Sequence, residues 1–141
     1  TCALPIYEIA AMLRNADDES HRAVINNCSI IGHRGSEASG FAYTTAKHGV
    51  LGMTRQAAVA YASTCIRVNA VSPGPTLTEA TRPRLAVPEA ELKARIGALN
   101  PTGKMVPAED IAAAVAFLCS PAASMINGQD VVLDGGQLAK L

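Results

Sequence analysis

The chain has 141 residues, with 12 Lys plus Arg balanced by 12 Asp plus Glu, so it is one domain or part of one and carries no formal net charge. That balance argues against a nucleic-acid groove or an anionic membrane surface as partner, since both call for a basic excess. Hydrophobic residues make up 49%, aromatic residues only 4%, and Trp is absent, so a core must be assembled from Ala, Val, Ile and Leu.

Leu4 to Leu13 reads as a helix, with Leu4, Ile9, Met12 and Leu13 able to share one face. Asn15 to Ser20 is polar and suits a surface loop. Ala23 to Ile30 is a β-branched run of strand length, and the Gly- and Ser-rich stretch from Ile31 to Gly40 is a loop. From about Ala42 to Ala62 the period is helical, with Ala46, Val50, Met53, Ala57 and Tyr61 three or four apart. Cys65 to Val71 reads as a second buried strand, stopped by Pro73-Gly74-Pro75. Thr76 to Val87 carries no assignable pattern. Pro88 and Pro107 each open a helix, to about Leu99 and Cys119, with Pro expected at an early helical position and acids near the positive end of the dipole. Asn127-Gly128 makes a turn into a third strand, Gln129 to Leu133, closed by Gly135-Gly136.

This order predicts an α/β fold with a buried parallel sheet and right-handed crossovers carrying helices to both faces. Three strands make a small sheet whose first strand is an apolar edge, which soluble proteins avoid. With Thr1 in place of a Met, this reads as a chain continuing upstream. Cys2, Cys28, Cys65 and Cys119 lie far apart without a Cys-x-x-Cys pair. They are expected to be reduced, small buried hydrophobes in a cytoplasmic protein. No stretch approaches the roughly 20 apolar residues of a membrane helix.

Chemistry concentrates at Tyr43 and Lys47, whose i, i+4 spacing sets both side chains on one helix face. A phenol titrating near 10 is a poor acid or base at neutral pH, and an adjacent ammonium favours its phenolate. The bare pair is a weak signal, equally read as a half-buried Tyr beside a solvated Lys. Ser29, fourteen residues earlier, stands at the end of the first strand, where parallel sheets place their sites. A Ser nucleophile would require a Gly-x-Ser-x-Gly elbow, but Ser29 is flanked by Asn27-Cys28 and Ile30-Ile31. Cys28 lacks an activating base, and His21, His33 and His48 show no metal-ligand spacing.

Taken together, Asn26-x-x-Ser29, Tyr43-x-x-x-Lys47, Asn69-x-x-x-Pro73-Gly74-x-x-x-Thr78, Pro107 to Ser120, Asn127-Gly128-Gln129 and Asp134-Gly135-Gly136 closely resemble the short-chain dehydrogenase/reductase family. The resemblance spans about residues 4–137 and includes members like the 3-oxoacyl-carrier-protein reductases. It implies a Rossmann-like doubly wound parallel sheet, with residues 1–141 as its C-terminal, catalytic part. It implies NAD or NADP as cofactor and reversible hydride transfer to a small carbonyl or secondary alcohol.

By position, Tyr43 is the implied general acid/base. Lys47 is its electrostatic partner and holds the nicotinamide ribose, and Ser29 orients the carbonyl. Pro73, Gly74, Thr76 and Thr78 are the implied nicotinamide contacts, and Asn26 and Asn69 are structural. Residues 76–99 are the implied substrate cover. The segment between Ser29 and Tyr43 is one residue longer than is common in the family, which leaves the placement of His33 and Arg34 open. The small side chains Gly49, Gly52, Ala57, Ala58 and Ala60 suit either packing on the sheet or contact between subunits of a homodimer or homotetramer. The family's glycine-rich pyrophosphate turn has no counterpart in these residues. A product starting at Thr1 is therefore expected to bind cofactor poorly. The rival reading is a non-catalytic fragment or scaffold.

Overall fold

A computed structural model describes residues 4–15, 22–76, 78 and 87–140. Helix α1 spans Leu4–Arg14, strand β1 Arg22–Asn27, helix α2 Phe41–Ala60 and strand β2 Ile66–Pro73. Helix α3 spans Glu89–Leu99, helix α4 Ala108–Cys119 and strand β3 Asp130–Leu133. The three strands form one parallel sheet in the order β1-β2-β3, with Val24 opposite Val68 and Val71 opposite Val131. Every predicted helix and strand is present, with ends shifted by a few residues. The predicted loop opens with a 3-10 turn at Ile30–Gly32, and Cys65 sits in the left-handed region (φ 56°) between α2 and β2. Pro88 and Pro107 fall one residue earlier than expected, as N-caps with ψ of 142° and 143°. An extended cap residue fixes the angle at which the chain enters each helix.

Alternation along β2 divides the core. Ile66, Val68 and Ala70 point to one face, where Ile9 of α1 and Leu51 and Ala58 of α2 meet them. Arg67 and Asn69 point to the other face, under α4. Both crossovers step the same way across the sheet, so helices on opposite faces give them opposite hands. The expectation of uniformly right-handed crossovers fails for one of the two.

The α4 face holds polar groups that the strand pattern did not disclose. Arg67, 7% exposed, donates to the carbonyls of Leu118 (2.7 Å), Ser120 and Ile126 (both 3.4 Å). The first two lie at the C-terminal end of α4, so a buried cation meets the negative end of a helix dipole. Asn69, fully buried, donates to Ile126 O (2.8 Å) and accepts from Gln129 N (2.9 Å). Asn127 accepts from Val68 N (2.9 Å) and donates to Ala58 O (3.0 Å). These amides fasten β3 to β2 where the ladder begins, as the structural role for Asn69 anticipates. We expect Asn69→Ala to strand the Gln129 amide and lower stability by about 2–3 kcal/mol. A denaturant melt with an unchanged midpoint would contradict that role.

Asn26 donates to Thr54 Oγ1 (2.9 Å), pinning β1 to α2. The cysteine expectation holds only in part. Cys28 is buried, whereas Cys65 and Cys119 are exposed, and Cys2 lies outside the described residues. Exposure follows position: Cys65 occupies a turn and Cys119 the last residue of α4. The polar segment before β1, His21 and residues 79–86 also lie outside the described residues. Among the described residues, no helix is long and apolar enough to cross a membrane.

Candidate active site

The carboxyl ends of β1 and β2 open onto two clefts that share Ser29, Tyr43, Pro73, Gly74 and Thr76. One, of about 340 Å³, adds Asn27, Lys47 and Thr78. The other, of about 450 Å³, adds Ile30, Ile31, Arg34, Leu99, Met105 and Gln137. All seven residues singled out from sequence thus surround one continuous depression, at the sheet end where parallel α/β folds bind ligands.

Each side chain is held by its own element. Ser29 caps the 3-10 turn that follows β1, its Oγ accepting from Ile31 N at 3.2 Å. A hydroxyl that accepts in this way keeps its hydrogen to donate. Tyr43 and Lys47 stand one turn apart on α2, with Lys47 Nζ 5.6 Å from the centre of the Tyr43 ring. The same ammonium donates to Asn27 O at 3.0 Å, which ties α2 to the end of β1. Tyr43 is 48% exposed, its ring forming part of both cleft walls.

The Pro73-Gly74 turn is shaped by its protein neighbours as well as by what the cleft could hold. A side chain on Gly74 would begin 3.0 Å from Asp134 Cα, so the absence of Cβ lets the turn close on the β3 end. Thr76 Oγ1 donates to Gly74 O at 3.0 Å, and Thr76 bridges to Val106, whose amide reaches Pro75 O at 2.8 Å.

Cys28 sits behind the site. Its thiol donates to Lys47 O at 3.2 Å, and burial pushes its pKa up, so it stays a protonated packing group. Among the described residues, no group of three or more His, Cys, Asp or Glu is placed to hold a metal ion.

Two features eluded the sequence. His33 Nε2 pairs with the carboxylate of Asp130, 97 residues away at the start of β3. No local pattern could reveal a partner so distant. Arg34, whose placement the longer loop left open, lines the larger cleft.

A family model described as enoyl-(acyl carrier protein) reductase matches residues 6–137. The chain is 41% identical over 127 residues to the cis-4-hydroxycyclohexanecarboxylate dehydrogenase of Sinomonas cyclohexanicum, covering 90% of this chain and 49% of that protein. It is 38% identical over 132 residues to the 3-oxoacyl-acyl-carrier-protein reductase of Pseudomonas aeruginosa, covering 93% and 51%. Among solved structures, 4-hydroxyisoleucine dehydrogenase complexed with NADH superposes with a TM-score of 0.84 at 27% identity, over 97% of this chain and 56% of that one. The chain thus spans about half the length of the curated relatives it matches. With its Rossmann-like parallel sheet and a family match over all but the first five and last four residues, the chain belongs to the short-chain dehydrogenase/reductase family.

Proposed function

We propose that the intact protein is an NAD- or NADP-dependent oxidoreductase that interconverts a small carbonyl compound and its secondary alcohol. In this reading residues 1–141 are the C-terminal catalytic part of a single domain. The observation that carries the reading is the convergence of Ser29, Tyr43 and Lys47 on one depression beside the Pro73-Gly74 turn. The smaller cleft fits the nicotinamide half of such a cofactor. It offers a cation at Lys47 for sugar hydroxyls, hydroxyls at Thr76 and Thr78 for a carboxamide, and the turn as a flat wall. When bound, the nicotinamide supplies or accepts the hydride.

The chain's own groups handle the oxygen. The Ser29 hydroxyl, already accepting from Ile31, donates to the substrate oxygen and fixes its direction. The Tyr43 phenol gives its proton to that oxygen in reduction and withdraws it in oxidation. The Lys47 ammonium stabilises negative charge as it gathers on the phenol oxygen, and its bond to Asn27 O keeps it from swinging away.

We assign the subunit contact of a homodimer or homotetramer to the open side of α2. Phe41 is 95% exposed and Val59 78% exposed there, and side chains on Gly49 and Gly52 would meet nothing within 4 Å. Ala58, by contrast, is buried against the sheet, so the small residues of α2 divide between the two roles.

The test is spectrophotometric. The intact protein should consume NADH or NADPH with at least one ketone or oxoacyl substrate of a small panel, in one-to-one stoichiometry with alcohol formed. Ester hydrolysis without nicotinamide turnover would overturn the reading.

A further inference from the structure

The larger cleft carries a signature of its own substrate. Among the described residues that line it, Arg34 is the one whose side chain is charged at neutral pH, and the other lining residues include Ile30, Ile31, Leu99 and Met105. Glu37, three residues on, does not line the cleft. Among the described residues the Arg34 guanidinium has no ion-pair or hydrogen-bond partner.

The backbone that presents Arg34 is fastened on both sides. His33 before it is paired with Asp130. Ser36 after it accepts from Ala38 N through its hydroxyl (3.2 Å) and from Ser39 N through its carbonyl (3.0 Å). A guanidinium on an anchored loop, unpaired and lining a largely apolar cleft, is arranged to receive an anion. Its planar fork matches a carboxylate, with two parallel N–H donors meeting two oxygens. A single cation of this kind neutralises a monoanion such as a carboxylate. The cleft's volume of about 450 Å³ suits a small molecule.

We propose that Arg34 is a specificity-determining residue that binds a carboxylate of the substrate. The substrate class is then a hydroxy acid or oxo acid whose carboxylate lies beyond an apolar spacer from the reacting carbon. Ser29 and Tyr43 hold the oxygen that reacts, Ile30, Ile31, Leu99 and Met105 pack the spacer, and Arg34 holds the far end. This inference rests on the oxidoreductase reading above.

The experiment compares matched pairs: a cyclic or linear hydroxy acid or oxo acid and its methyl ester or primary amide, each assayed with the intact protein and NAD(H) or NADP(H). The wild type should favour the acid by roughly 10- to 100-fold in kcat/KM, mainly through KM, the worth of a charge-assisted hydrogen bond. Arg34→Ala should collapse that ratio toward one, Arg34→Lys should retain part of it, and Arg34→Glu should invert it. Equal use of acid and ester by the wild type, or a preference that survives Arg34→Ala, would overturn the carboxylate assignment while leaving the oxidoreductase reading intact. Failure of every alcohol and carbonyl, charged or neutral, would overturn both.

Discussion

Replacing Tyr43 by Phe is expected to lower kcat of the intact protein by about 10²–10⁴-fold, the usual worth of a positioned general acid or base. The substitution is clean because of where the ring sits. Half exposed on α2, it keeps its face toward Lys47, and the ammonium keeps its bond to Asn27 O. Only the hydroxyl is lost, so the folded state and the cleft walls should remain. The measurement is single-turnover hydride transfer with saturating cofactor, alongside a thermal melt. A large fall in rate with an unmoved melt assigns proton transfer to the phenol. Wild-type turnover in the Phe variant would remove Tyr43 from the chemistry and leave the site without an acid.

Gly32→Ala is expected to damage stability and catalysis together. A Cβ at this position would lie 2.8 Å from Cys28 Sγ, 2.9 Å from Lys47 O and 3.1 Å from Leu51 Cδ1. A thiol can rotate aside, but the Lys47 carbonyl belongs to the backbone of α2 and cannot. The helix must therefore back away from the end of β1 by several tenths of an ångström, taking Tyr43 and Lys47 with it. Overpacking of this kind costs about 1–3 kcal/mol, and misplacement of reacting groups by an ångström can cost about 10²-fold in rate. The double variant with Cys28→Ala should recover part of the stability and little of the rate, since the backbone contact persists. Full recovery of both would mean that the thiol alone set the limit.

Much of this was legible in the sequence because the decisive patterns are local. The period of Ala46, Val50, Met53 and Ala57 gave α2, and the i, i+4 spacing of Tyr43 and Lys47 set their common face. Apolar runs gave the strands, since strands covered on both faces need no alternation. The Pro-Gly-Pro stop marked where β2 reaches the site.

What escaped were contacts between residues far apart in the chain. Arg67 in an apolar strand gives no sign that three carbonyls await it. The His33–Asp130 pair joins residues with no pattern in common. Arg34 could not be placed because one extra loop residue can shift a side chain from one wall to another. Gly74 read as a strand stop and an implied nicotinamide contact, and part of its reason is the approach of Asp134.

The amide fastenings between β2 and β3 have an evolutionary corollary. Across the start of the β2–β3 ladder, Asn69 and Asn127 bind backbone groups 57 to 60 positions away, so these side chains help to set the register of the two strands. The segment between Pro75 and Val106 takes no part in these bonds. Lengthening a flexible connection is cheap, about 0.6 kcal/mol for each doubling. Descendants of this sequence could therefore gain or lose residues between Pro75 and Val106, trying new shapes beside the cleft, while the catalytic end of the sheet stays in register.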